Sequence, residues 1–132
     1  MNENEIAKKI VDAAYHIHVE LGPGLLESAY EAVLAYELRQ RGLNIAIQVP
    51  MPLHYHGVDM DLGYRLDILV EERVIVELKS VELVAPVHKK QLLTYLKLAD
   101  KRLGLLINFG SSRIKDGIIR IVNGLEDDFG DR

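Results

Sequence analysis

The sequence predicts one mixed α/β domain in the order helix, helix, three strands, helix, strand, with residues 118–122 as a candidate further strand. Three observations carry this. Apolar residues recur at spacings of three and four through the first 40 residues, and the pattern changes to an extended one from about residue 44. A further helical stretch then precedes the almost wholly apolar run LGLLINF.

Ile6, Ile10, Ala13, Ile17 and Leu21 lie on one stripe of a helix from about residue 3 to 20, which Gly22-Pro23-Gly24 stops. Leu26, Tyr30, Val33, Leu34 and Leu38 mark a second helix, with Arg39 and Arg41 in its last turn and Gly42 as its C-terminal cap. The pair makes a helical hairpin. NIAIQVPMPLHYHG reads as extended, and Pro50 and Pro52 confine it to a sheet edge or a bulged strand. GYRLDILV and RVIVELKS are β-rich and separated by at most Glu71, Glu72 and Arg73, so an antiparallel hairpin is expected. Pro86 opens a third helix, and Val87, Leu92, Tyr95, Leu96 and Ala99 carry its apolar spacing to about residue 100. LGLLINF, residues 103–109, has the composition of a strand buried on both faces. The domain is expected to span residues 1–125, followed by the acidic tail 126–132.

A chain of 132 residues with 48% hydrophobic content supports one core. It has no cysteine, which excludes disulfides and thiolate metal sites and is compatible with a reducing cytoplasm. No signal-like segment opens it, and no apolar run approaches the roughly 20 residues that span a bilayer. A soluble, cytoplasmic protein with no membrane partner is expected. The net charge of −4 is unevenly spread. Residues 1–78 hold six Lys/Arg against thirteen Asp/Glu, whereas residues 79–125 hold nine against three. The basic half can form a local phosphate-attracting surface, or simply a solvated face.

Within VIVELKS, Val74, Val76 and Leu78 alternate with Ile75, Glu77 and Lys79. If residues 71–73 form a three-residue loop, Val70 pairs with Val74, Asp67 lies opposite Glu77 and Arg65 opposite Lys79. The two carboxylates then sit about 5 Å apart at Cβ on one face. A two-residue loop would pair Asp67 with Val76 and separate the acids. Adjacent carboxylates repel and are commonly held together by a cation, and their hard oxygens suit Mg²⁺ or Mn²⁺. An ammonium beside them can orient a water or stabilise charge on a phosphoryl group. The same residues can instead form a cross-strand ion-pair ladder on a solvated face, worth roughly 0.2 to 1 kcal/mol per pair.

Asp67 with Glu77-Leu78-Lys79 resembles the bipartite motif of the PD-(D/E)XK nuclease superfamily. Gly24-Leu25-Leu26-Glu27-Ser28-Ala29-Tyr30 resembles the G-x-x-E-x-x-Y motif that names one family within it, and Gln91-Leu92-Leu93-Thr94-Tyr95 is similar to the Q-x-x-x-Y motif of its RecB-like nucleases. The likeness spans roughly residues 5 to 122, and Leu66 stands where the superfamily name has proline. It implies a restriction-endonuclease-like core, a mixed β-sheet flanked by helices, and metal-assisted hydrolysis of a DNA phosphodiester. Asp67, Glu77, the Leu78 carbonyl and Glu27 would serve Mg²⁺ or Mn²⁺, the last directly or through water. Lys79 would position water or stabilise the transition state, with Gln91 and Tyr95 orienting Lys79 or a phosphate. The same fold also hosts members that bind nucleic acid without cutting, and a protein-interaction domain is a further alternative.

His88, Lys89 and Lys90 open the third helix and are candidate phosphate contacts or exposed polar residues. Pro50, Met51, Pro52, Leu53 and Tyr55 read as a partner or nucleic-acid surface, or as a proline-protected edge strand. So small a domain encloses little substrate, which makes a homodimer compatible with the reading.

Overall fold

The computed structural model describes residues 1–125; the acidic tail 126–132 lies outside the described residues. Helix α1, Glu3–Leu21, starts where the Asn2 side chain accepts the Glu5 N–H and Glu5 accepts the Asn2 N–H, each at 2.8 Å. It buries Ile6, Ile10, Ala13, Ala14 and Ile17 and ends at Gly22, whose φ of 69° suits glycine. Helix α2, Glu27–Gln40, buries Tyr30, Leu34, Ala35 and Leu38. Tyr30 fixes the connection between them, since its hydroxyl donates to the Gly22 carbonyl and accepts the Leu25 N–H. Its ring stacks on Phe109 with centroids 4.3 Å apart.

The strands are β1 (Ile45–Pro50), β2 (Leu53–Tyr55), β3 (Val58–Met60), β4 (Arg65–Val70), β5 (Val74–Lys79), β6 (Leu103–Asn108) and β7 (Ile118–Val122). A five-stranded mixed sheet runs in the order β1-β4-β5-β6-β7, and only β5 and β6 are parallel. Helix α3, Pro86–Ala99, supplies the crossover that a parallel pair requires. The helical hairpin covers one face of the sheet, with Ile68, Val70, Val74, Val76 and Leu78, and α3 covers the other, with Leu66, Ile75 and Leu106. This is the mixed sheet flanked by helices that a restriction-endonuclease-like core requires. Strand β6 lies between β5 and β7 and is buried along its whole length, as its unbroken apolar run predicts.

Two features exceed the sequence expectation. The extended run from residue 44 divides at Met51 and Pro52 into edge strand β1 and a separate β2–β3 hairpin, and Ile114–Gly117 forms a 3₁₀ turn before β7. Pro50 falls on the edge strand, where its missing N–H interrupts least.

The β4–β5 turn settles the register. The Arg73 N–H donates to the Val70 carbonyl at 3.0 Å over Glu71 and Glu72, both left-handed at φ 53° and 54°. Arg73 is the extra residue that pairs Val70 with Val74, Leu69 with Ile75 and Ile68 with Val76. The strain at Glu71 is offset by two bonds to Asn44, one through the Glu71 N–H at 2.8 Å and one through its carboxylate at 2.6 Å. The three-residue loop is therefore the one formed, but the ladder stops at Ile68 and Val76, and Arg65 pairs with Pro50 rather than Lys79.

At that point the edge of the sheet turns over. In β4, Ile68 and Val70 face the helical hairpin while Leu66 faces α3; in β1, Ile45 faces the hairpin and Val49 faces α3. Strict alternation forbids both, since side chains two or four apart share a face. The reversal occurs at Gln48, left-handed at φ 49°, and at Asp67 opposite it, the one position missing from the β1–β4 pairing.

Beyond β5, buried Asn108 holds the chain in place. Its Oδ1 accepts the N–H groups of Val81 and Gly110 at 3.0 Å, and its Nδ2 donates to the Val81 carbonyl at 2.9 Å. A Cβ on Gly110 would lie 2.3 Å from the Val81 oxygen, so only glycine allows this approach. Asn108→Ala leaves these buried backbone groups without partners and is expected to cost about 3 kcal/mol in urea unfolding.

Candidate active site

The carboxylates of Asp67 and Glu77 meet where the β4–β5 ladder ends. The Asp67 N–H donates to Glu77 Oε2 at 2.9 Å, and the Leu78 N–H donates to Asp67 Oδ2 at 2.8 Å. Each acid thus replaces a ladder bond with one from its own carboxyl group to the opposite strand. Asp67 Oδ1 and Glu77 Oε1 lie outside these two bonds. Because a strand residue directs its N–H and C=O to the same edge, the Leu78 carbonyl faces the β4 side with them.

Glu77 is 9% exposed, on the face that carries Ile75 and packs under α3. Burial, and then the charge of Asp67, push its carboxyl up to about 8, against the relief of the Asp67 N–H and of Lys79. Burial also raises Asp67; the Leu78 N–H lowers it, Glu31 raises it, Lys79 lowers it and Glu27 raises it. Among the described residues no Lys or Arg lies within 4.0 Å of Asp67, Glu77, Glu27 or Glu31 in an ion pair. A solvated ion-pair ladder is thus not what these residues form.

Helix α2 brings further acids. A cleft of about 240 Å³ is lined by Glu27, Ser28, Glu31, Gln48, Asp67 and Leu78. Glu27 is the first residue of α2, held there by the Tyr30 clamp and by the Ser80 hydroxyl, which donates to the Leu25 carbonyl at 2.7 Å. Glu31, one turn later, accepts from the Gln48 amide at 2.6 Å. Neither Glu31 nor Gln48 was expected from the sequence. The available signals are the i,i+4 spacing of Glu31 from Glu27 and the lone polar residue within IAIQVP.

The remaining candidates lie around this cleft but not in it. Lys79 is half-buried and acts on both carboxylates through space. Gln91 Nε2 donates to the Tyr95 hydroxyl at 2.9 Å, so these two are joined as their spacing predicts. Burial and the neighbouring Glu77 charge raise the Tyr95 hydroxyl, against the lowering effect of Gln91. His88 Nδ1 accepts the Ala85 N–H at 3.2 Å, which caps α3, while Lys89 and Lys90 are exposed on α3.

Among the described residues, no three His, Asp or Glu side chains converge as a ready-made metal cluster. The donor set still fits a hard divalent cation, which needs only one or two carboxylates and takes water and phosphate oxygens for the rest. Asp67 and Glu77 offer two partly desolvated carboxylates, both raised first by burial and Glu77 next by the charge of Asp67.

No described helix is long and apolar enough to cross a membrane. Comparison with curated proteins and with solved structures returns no match. A family model described as the PD-(D/E)XK nuclease superfamily matches residues 4–121, a span that contains the Asp67–Glu77 pair at the end of the β4–β5 ladder. The chain belongs to the PD-(D/E)XK nuclease superfamily.

Proposed function

We propose that this protein is a metal-dependent deoxyribonuclease of the GxxExxY type, and that Asp67, Glu77 and Lys79 carry its chemistry. The observation that bears most weight is the reciprocal pair of half-buried Asp67 and buried Glu77, which lacks a close cationic partner. Asp67, Glu77 and the Leu78 carbonyl would hold Mg²⁺ or Mn²⁺, with Glu27 acting through water. Such an ion supplies polarisation of the phosphoryl oxygens and lowers the pKa of water.

The chain's own groups supply the rest. Leu78 and Asp67 N–H groups hold the two carboxylates in a fixed orientation, so little reorganisation is needed when substrate arrives. Lys79 is positioned to orient a water or to balance the charge that grows on the phosphoryl oxygens. The Gln91–Tyr95 pair restricts the α3 side of the site and can donate to a phosphate. The exposed Lys89 and Lys90 attract the strand by charge.

Wild type is expected to cut DNA with Mn²⁺ and not in chelator. Asp67→Asn and Lys79→Ala are each expected to slow cutting by about 10²-fold or more. Incubation with single-stranded, duplex and branched DNA, following binding and cutting together, checks this. Undiminished cutting by Asp67→Asn would remove the proposed chemistry.

Proton and metal linkage gives a second test. With the Glu77 carboxyl raised from about 4.5 to about 8, the metal-free folded protein holds a proton that the unfolded chain has released across that interval. The Glu77 contribution to stability therefore falls as pH rises from about 4.5 to about 8, and is flat below, where both states are protonated. Tm measured by circular dichroism in chelator is expected to fall more steeply over this window in wild type than in Glu77→Gln. Mn²⁺ is expected to raise Tm more at pH 8 than at pH 6 in wild type, and little in the variant. Parallel pH slopes for the two proteins would contradict the linkage.

A further inference from the structure

On the α3 side of the site lies a second cleft, of about 270 Å³, lined by Leu53, Tyr64, Gln91, Thr94, Tyr95 and Leu98. None of its lining side chains is charged at neutral pH. The walls are two leucines and two aromatic rings, with the Gln91 amide and the Thr94 hydroxyl as polar groups. Tyr64 and Tyr95 have ring centroids 6.2 Å apart and differ in role. Tyr95 is 7% exposed and forms the wall, whereas Tyr64 is 43% exposed and offers a free ring face.

The cleft adjoins the candidate site. Tyr95 packs in the same cluster as Ile75, and Glu77 follows Ile75 on the same face of β5. The rim of the cleft is basic. Lys90, Thr94 and Lys97 succeed one another along one line of α3, so exposed ammonium groups flank Thr94 on its solvent side. An uncharged, partly aromatic slot bordered by lysines excludes phosphate from its interior and attracts it to its edge. That division suits a nucleotide whose base enters and whose backbone stays outside.

We propose that this cleft receives one unstacked base of a nucleic-acid strand, stacked on Tyr64, while the neighbouring phosphates run along Lys90 and Lys97 toward Asp67 and Glu77. The inference rests on the nuclease reading and narrows its substrate. A base within a duplex has both faces covered by its neighbours, so the occupant comes from a single strand or a frayed end. Gln91, whose Nε2 donates to Tyr95, and Thr94, whose hydroxyl donates to the Lys90 carbonyl at 3.0 Å, keep acceptor oxygens in the lining for a base edge, and stacking on one ring tolerates any base.

The test uses the full-length protein with Ca²⁺ and a fluorescent single-stranded oligonucleotide, alongside the matching duplex. Tyr64→Ala is expected to weaken single-strand binding by about tenfold and leave duplex binding unchanged. Tyr64→Phe keeps the ring and is expected to retain wild-type affinity, which separates stacking from a folding defect. Leu98→Trp fills the cleft and is expected to weaken single-strand binding similarly. With 2-aminopurine placed at each position in turn, one position is expected to be quenched by wild type and not by Tyr64→Ala. If wild type binds and cuts single strands and both Tyr64→Ala and Leu98→Trp do so equally well, the base cleft is wrong and the nuclease reading stands. If wild type neither binds nor cuts any nucleic acid, both fall together.

Discussion

Two carboxylates, Glu77 buried and Asp67 half-buried, meet at the end of a β-hairpin, and each is held by a backbone N–H of the opposite strand. The pair Asp67 N–H to Glu77 and Leu78 N–H to Asp67 takes the place of ladder bonds beyond Ile68 and Val76. Much of the surrounding structure serves this exchange. An ordinary sheet would continue pairing and leave the acids as surface side chains. Here the register is set three residues earlier by Arg73, through a turn whose left-handed Glu71 is anchored to Asn44. The edge then reverses its faces at Gln48 and Asp67, which takes Asp67 out of the alternation and directs it at the Leu78 N–H.

The helical hairpin closes the site from the other side. Tyr30 serves the site through the backbone around it. It bonds the Gly22 carbonyl and the Leu25 N–H and stacks on Phe109, so it fixes where α2 begins. Ser80, directly after β5, bonds Leu25, and Asn108 clasps Val81 next to it. The strand that carries Glu77 and the helix that carries Glu27 and Glu31 are therefore tied at their adjoining ends. A tyrosine far from any proton transfer can be required because it places a carboxylate one turn away.

The helices and the central strands were legible because their apolar spacing is strong and their stops are marked by Gly22, Gly42 and Pro86. The three-residue loop that brings Asp67 near Glu77 was legible from the sequence, but the way they meet was not: the ladder stops at Ile68 and Val76, and side chain–backbone bonds join the two acids instead of a paired register. The reversal at Gln48 was not legible, because it rests on a left-handed residue that is not glycine, and no local pattern announces one. For the same reason the neighbouring run did not reveal its division into β1 and the β2–β3 hairpin. Glu31 was passed over because an acid on a helix is usually solvated; only the approach of α2 to Asp67 gives it a role. Asn108 sits inside an apolar run, where its use as a backbone clamp depends on a segment 27 residues away.

The electrostatics of the site follow from these restraints. Glu27 and Glu31 line one cleft with half-buried Asp67, buried Glu77 adjoins it, and Lys79 is the cation that acts on Asp67 and Glu77. A single ammonium beyond ion-pair distance cannot offset two desolvated carboxylates, so the folded chain retains protons there instead. Protons and a divalent cation would compete for the same oxygens, and a phosphate brings further negative charge that favours the cation over the proton. On the proposed reading, such a site would be weakly occupied by metal alone and more strongly in the presence of substrate. That coupling gives a physical reason for carrying so much uncompensated acid in a domain of this size. If the proposed chemistry holds, the fold accepts a less stable strand end at which cation and phosphate would strengthen one another's binding to Asp67 and Glu77.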